Sequence, residues 1–331
     1  MITSRSLRAA SLLALLGSSS AFAAAYVGAA YEGFDYTAGT TMDATFGTGT
    51  GWNATGDALL PNTTNWGSAA PYNASGNRVI TTGGLTSPNI GSPANIGNSV
   101  LISGAGQVGR TLGQTVDSGT FYFSYLTKKT SAELRTVNFA FFNGTSERLT
   151  IGQIASNLNT RDKDGTWLAG AGANLGNISI LISNAPNSPE APGAQSPSTQ
   201  SSLNGVYLAD TPVSYALNQT FLVVGKVEFN INSTVVDAIT LYLNPGNLTN
   251  ESSLTPYMYL DHVDIGGITG FRMFAGATNG GFNASAAQFD EIRFGTNYLA
   301  VTGAAVPEPS AFAALAGLAG LAFAATRRRR A

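Results

Sequence analysis

The chain has 331 residues, no cysteine, one histidine and only 11% charged residues, with 17 Lys+Arg against 19 Asp+Glu. The missing cysteine excludes disulfide-stapled miniatures, cysteine nucleophiles and thiolate metal sites, so an exported domain here must be held by a large core. Apart from a terminal run of arginines the basic residues are few and scattered, which argues against nucleic acid as a partner.

In chain order, residues 1–23 read as a secretory signal peptide. Arg5 and Arg8 form the positive start, 9–17 is apolar with Leu12, Leu13, Leu15 and Leu16, and Ala21-Phe22-Ala23 is a small-x-small cleavage site. Signal peptidase is thus an expected processing partner, cutting after Ala23 or, alternatively, after Ala25. The body, 24–303, keeps 11 Lys+Arg once Arg5, Arg8 and four terminal arginines are set aside. It keeps 18 Asp+Glu without Glu308, giving about −7.

Residues 37–118 are rich in Gly, Thr and Asn, contain Trp52 and Trp66, and read as loops and short edge strands. Residues 120–127 alternate with both faces apolar, the pattern of a central strand, and 136–142 place Val137, Phe139 and Phe141 on one face. Strands follow at 148–154 and 177–183. The Pro/Ser-rich stretch 186–198 reads as a surface loop. A hairpin is expected from 221–231 and 235–244, then strands at 265–274 and 288–294. Such recurrence of short strands between turn signals, with no long helical period, predicts one all-β sandwich. Phe121, Phe123, Phe139, Phe141, Val223 and Leu241 are expected in its core. In 289–294, Phe289, Glu291 and Arg293 should face oppositely to Asp290, Ile292 and Phe294.

The chain ends on three signals in fixed order. Pro307, Glu308 and Pro309 form a Pro-Glu-Pro triplet. An apolar run at 311–325 contains only Ala, Leu, Gly and Phe, and Arg327, Arg328, Arg329 and Arg330 close it. A basic stop after an apolar run stays cytoplasmic, which puts the body outside. Fifteen apolar residues are short of the roughly 20 that span a bilayer, which suits a temporary transmembrane stop. This tail, 304–331, resembles the PEP-CTERM sorting signal of Gram-negative bacteria that make extracellular polysaccharide. The resemblance implies transit through the inner membrane, processing by exosortase near the triplet, and release to the cell surface or extracellular matrix. The body resembles LamG-like, concanavalin A-like jelly rolls. The resemblance is carried by 31–36 (YEGFDY), 221–229 (FLVVGKVEF), 241–245 (LYLNP) and 289–296 (FDEIRFGT). It implies a jelly-roll sandwich whose first and last strands lie side by side, and relatives that bind or cleave glycans.

Candidate sites are sparse. Hydrolases on this kind of sandwich carry a Glu-x-Asp-x-Glu strand, and the chain has none; glycoside hydrolysis needs two carboxylates across a groove. Asp261 and Asp264 have the wrong parity, and Asp162 and Asp164 flank a turn at Gly165. No catalytic residue is assigned, and the body is expected to be non-enzymatic, binding or packing within extracellular polysaccharide; a glycan-active enzyme and a purely structural surface protein are the alternatives. Trp52, Trp66 and Trp167, in Gly/Asn-rich segments, are either a glycan-stacking platform or loop anchors. Asp162 and Asp164 resemble the start of a calcium loop, but Arg161 and Lys163 oppose a cation and the rest of the loop is missing, so an Asp-Gly turn is the plainer reading. No other metal or cofactor is expected. His262 stands alone and completes no triad.

Overall fold

The computed structural model describes residues 30–34, 36–43, 66–67, 71–72, 74–86, 97–154, 160–164, 166–168, 176–183, 205–231, 236–276 and 284–302. They belong to one compact unit, Gly28–Ala304. Fifteen strands are described: β1 (Ala30–Glu32), β2 (Ser75–Thr81), β3 (Ser99–Val116), β4 (Thr120–Lys129), β5 (Val137–Asn143), β6 (Ser146–Gln153), β7 (Thr160–Arg161), β8 (Trp167–Leu168), β9 (Ile178–Ile182), β10 (Gly205–Tyr207), β11 (Thr220–Glu228), β12 (Asp237–Leu243), β13 (Met258–Val263), β14 (Ile268–Ala275) and β15 (Ala286–Gly295). A single α-helical turn, α1 (Tyr298–Thr302), follows them. Among the described residues no helix is long and apolar enough to cross a membrane. Residues 1–23 and 304–331, where a leader and a sorting tail are expected, lie outside the described residues.

The strands form one sheet in the order β13-β12-β11-β4-β15-β3-β14-β5-β6-β9-β10-β7-β8, with β1 beside β15 and β2 beside β3. Three strands separate β4 from β5 in that order, yet Tyr125 on β4 stacks on Phe139 of β5 at 4.5 Å and 12°. Phe123 likewise meets Phe141 at 4.7 Å. The sheet is therefore curled on itself into two facing layers, and the rings fill the space between them. Phe139 also lies parallel to Phe271 of β14, 5.3 Å away. All six expected core residues are buried.

β3 makes the turn from one layer to the other. Its start, 100–103, pairs with β15, and 107–111 pairs with β14. Between them Gly104 and Ala105 both take positive φ, 62° and 63°. Strands that change layers at a sandwich corner bend in this way. This corrects the reading of 37–118 as loops and short edge strands: β3 is 18 residues long and sits inside the sheet. Glycine is needed at Gly109, because a Cβ there would lie 2.1 Å from the Phe271 carbonyl oxygen. The same substitution of side chain by backbone contact erased the alternation that marks a strand.

Both faces of β4 are buried, as expected of a central strand. β11 and β12 form the expected antiparallel hairpin; its turn, 232–235, lies outside the described residues, as does the Pro/Ser-rich stretch 186–198. β1 pairs with β15 through Ala30↔Phe294 and Tyr31↔Arg293, so the first and last strands are neighbours. β15 departs from simple alternation. Its register against β4 slips between Asp290 and Arg293, with Glu291 at φ 51°. This bulge puts Phe289, Ile292 and Phe294 together in the core, which the strict period of two would have split.

Candidate functional site

The structure places the expected site residues differently from one another. Trp66 is fully buried, packed 5.9 Å from Phe34 and 5.6 Å edge-on to Phe271, with Arg110 over its ring at 5.5 Å. It is a core residue, and the exposed-platform reading is corrected for it: a ring of this size gains more from the apolar interior than from a loop surface. Trp52 lies outside the described residues. Trp167 pairs through its backbone with Arg161 in the short β7–β8 hairpin, and its side chain is outside them too. Asp162 accepts the backbone N–H groups of Asp164 (3.0 Å) and Thr166 (2.8 Å), and Asp164 sits exposed against Lys163 at 2.9 Å. That is a side-chain-capped turn, with the carboxylate of Asp162 turned to the backbone rather than to a cation. Among the described residues no three His, Asp or Glu side chains are grouped to hold a metal. His262 lies on edge strand β13, 3.5 Å from Asp261 and with its ring 5.8 Å from Tyr207. Pro307, Glu308, Pro309 and the four arginines are outside the described residues.

A different group stands out on the outer face of the first layer. On β11, Phe221, Val223 and Val227 point into the core, so Leu222, Val224, Lys226 and Glu228 point outward. Register sets Lys226 beside Tyr122 of β4 and Thr240 of β12, and Thr240 beside Tyr259 of β13. The loop after β12 then lays Glu251 over this row. That loop is fixed in several ways. Asn247 Oδ1 accepts the N–H groups of Thr249 (2.9 Å) and Asn250 (3.0 Å), and Asn250 caps the short 3-10 turn Glu251–Ser253. From α1, Tyr298 and Thr302 donate to the carbonyls of Asn247 (2.8 Å) and Leu248 (2.7 Å). Leu248 and Leu254 pack on the outer apolar cluster of Leu126, Leu222, Val224 and Tyr242.

Glu251 accepts the hydroxyls of Tyr122 (2.7 Å) and Tyr242 (3.1 Å) and contacts Lys226 Nζ at 3.3 Å. Lys226 Nζ also meets Glu228 at 3.0 Å. Because one ammonium touches both carboxylates, their contacting oxygens lie at most about 6 Å apart. Side-chain exposure is 18% for Lys226, 19% for Glu251 and 38% for Glu228, so the group opens to solvent on one side. Burial disfavours charge on Lys226, but its bonds to Glu228 and Glu251 outweigh it and raise the ammonium pKa. Burial, then Glu251, push the Tyr122 hydroxyl well up; burial and Glu251 do the same for Tyr242. The site is a lysine ammonium between two acidic side chains, edged by two phenols that keep their protons. The sequence carried half of this as the same-face pair Lys226 and Glu228. Glu251 comes from a loop 23 positions later in the chain, and no spacing rule connects them.

Among the described residues four further acids, Glu32, Asp237, Asp264 and Asp290, are buried inside the protein. Glu32 is fully buried; burial raises its pKa against the pull of the Phe34 N–H (2.8 Å), the Tyr36 hydroxyl (2.9 Å) and nearby Arg110. Asp290, next to the β15 bulge, accepts the N–H groups of Leu85 (2.6 Å) and Glu291 (2.8 Å), and burial pushes its pKa up to about 8. Glu291 was expected to point away from Asp290, and its carboxylate does, taking the Tyr31 hydroxyl and Arg293 at 2.8 and 2.7 Å; only its backbone N–H closes on Asp290.

No protein-family model matches the chain, and no curated protein matches it in sequence. Among solved structures it is similar to the alginate lyase Aly36B in complex with an alginate tetrasaccharide. The match has TM-score 0.39 and 11% identity, over 81% of this chain and 97% of that one. A marine PL-14 alginate lyase from Aplysia kurodai is matched with TM-score 0.35 and 9% identity, over 69% and 86%. Botulinum neurotoxin type C, whose cell entry depends on two ganglioside molecules, is matched with TM-score 0.35 and 11% identity, over 72% of this chain and 47% of the toxin chain. The lyases correct one expectation. The solved structures to which this chain is similar include alginate lyases, and the expectation of a non-enzymatic body is withdrawn.

Proposed function

We propose that this chain is an exported, glycan-active β-sandwich enzyme whose site is the outer face around Lys226. The observation that carries the reading is the carboxylate pair Glu228 and Glu251 gathered around one ammonium and two phenols. A pair of carboxylates suits glycoside hydrolysis, one giving a proton to the leaving oxygen while the other attacks the anomeric carbon or activates water. Glu251, fixed by two hydroxyls and an ammonium, is assigned the nucleophile or base role, and the more open Glu228 the acid role. β-Elimination of a uronate, the other way to cut a polysaccharide, needs a free cation for the sugar carboxylate; Lys226 is already neutralised on two sides. In the proposal the chain reaches its substrate by export: signal peptidase removes 1–23, and exosortase processes the tail near Pro307, Glu308 and Pro309 after a transient stop in the inner membrane. The body is then left at the cell surface or in extracellular polysaccharide.

The test is release of reducing ends from neutral β-glucans by the purified protein, with Glu251→Gln and Glu228→Gln alongside. Turnover in the parent, reduced about 100-fold or more in either variant while the fold is kept, supports hydrolysis. Turnover unchanged in both variants, or none on any neutral glycan offered, overturns it. Intact-mass measurement of protein from the native host checks the export route; a mature form that retains Arg327–Arg330 refutes exosortase processing.

A further inference from the structure

We infer that Tyr259 is the sugar-stacking subsite of the Lys226 face, and that it selects an uncharged glycan lying across the strands toward the β13 edge. The inference rests on the functional reading above and adds to it the position and class of the substrate. Tyr259 is 45% exposed, whereas the other described tyrosines near Lys226, Tyr122 and Tyr242, are buried to their hydroxyls against Glu251. It stands in register with Thr240, itself beside Lys226, so two inter-strand spacings, about 10 Å, separate its backbone from that of Lys226. That offset is too long for Tyr259 to touch the bond being cut, and suits a sugar ring further along the same chain. Its solvent-facing ring offers the flat apolar face on which pyranose C–H groups pack.

The charges around the ring define the class. Asp261, on the same outward face of β13, is 57% exposed at its side chain; burial, then Asp261 and Glu228, raise the pKa of the Tyr259 hydroxyl, and Lys226 partly offsets them. The nearby cation, Lys226, is held by Glu228 and Glu251. A uronate or sulfated sugar stacked here would meet uncompensated negative charge, while a neutral sugar would meet hydrogen-bond acceptors. Trp66, one of the three tryptophans expected to stack sugars, is buried, and the inference places a stacking ring on a strand tyrosine.

The experiment compares the parent with Tyr259→Ala, Tyr259→Phe and Glu251→Gln, using a long neutral β-glucan, its disaccharide-to-tetrasaccharide fragments and a polyuronate. Tyr259→Ala should raise KM on the long glucan by roughly 3–10-fold, with kcat little changed and the shortest fragments unaffected. Tyr259→Phe, which keeps the ring, should retain parental KM. The polyuronate should neither bind nor inhibit. Loss of turnover in Glu251→Gln together with an unchanged KM in Tyr259→Ala overturns the subsite and leaves the hydrolase reading standing. Full turnover in Glu251→Gln overturns both. Polyuronate binding equal to that of the neutral glucan overturns the selectivity.

Discussion

Asp290 makes the stability of this protein pH-dependent in a direction opposite to that of most acidic residues. Its carboxyl is pushed from about 3.8 to about 8 by burial, against two accepted N–H bonds. The native state therefore binds more protons than the unfolded chain between those values, and stability falls as pH rises through that window. Each unit is about 1.4 kcal/mol, so the group removes about 4 kcal/mol between pH 5 and 8. Asp290→Asn has nothing to ionise. It loses one of two accepted bonds, because an amide offers one oxygen where the acid offers two; the cost is about 1–2 kcal/mol at every pH. Urea melts of both proteins at pH 5, 6.5, 8 and 9 should show near parity at pH 5. At pH 8 and above the variant should be more stable by about 2–4 kcal/mol. A stability difference that does not change with pH would refute the reasoning, since any purely geometric effect of the amide is constant.

Phe139 touches Tyr125, Phe141, Phe271 and Phe294 across the two layers; Phe139→Ala should cost about 3–5 kcal/mol in denaturant melts, and a loss below about 1 kcal/mol would mean the layers do not meet there. Gly225 lies under the Phe123 ring, where an added Cβ would come within 2.0 Å of the ring carbon Cζ. Gly225→Val should displace that ring and lower stability by about 1–3 kcal/mol or more, whereas an unchanged midpoint would place the ring elsewhere.

Much of the framework was legible because apolar residues on paired strands repeat every two positions. β4 and β5, the β11–β12 hairpin and the meeting of β1 with β15 all follow that period or the resemblance built on it. β3 was not legible. Its glycines at Gly104, Gly106 and Gly109 serve close backbone approach and a bend, so the side chains that would announce a strand are absent. The β15 bulge was equally hidden, since it shifts parity within a run that reads as regular. The site was not read from the sequence. Lys226 and Glu228 share a face two residues apart, but Glu251 reaches them only because Asn247, Asn250, Tyr298 and Thr302 fix a loop. Trp66 shows the converse error: a Gly/Asn-rich surrounding sequence says nothing about whether the ring faces in or out.

The strand order also sets a timetable for folding. β3, β4 and β5 follow one another along the chain, yet none pairs with the next: β15 stands between β3 and β4, and β14 between β3 and β5. The middle of the sheet is thus assembled from its earliest and its latest members. Until residues 268–295 are present, three long strands hold open edges that only the end of the body can fill. Such a chain cannot complete its core as it is made, and must stay incomplete until nearly all of it is available. Folding should be slow, as expected where most pairings join distant segments. In the interval those open edges are exposed to pairing with other chains.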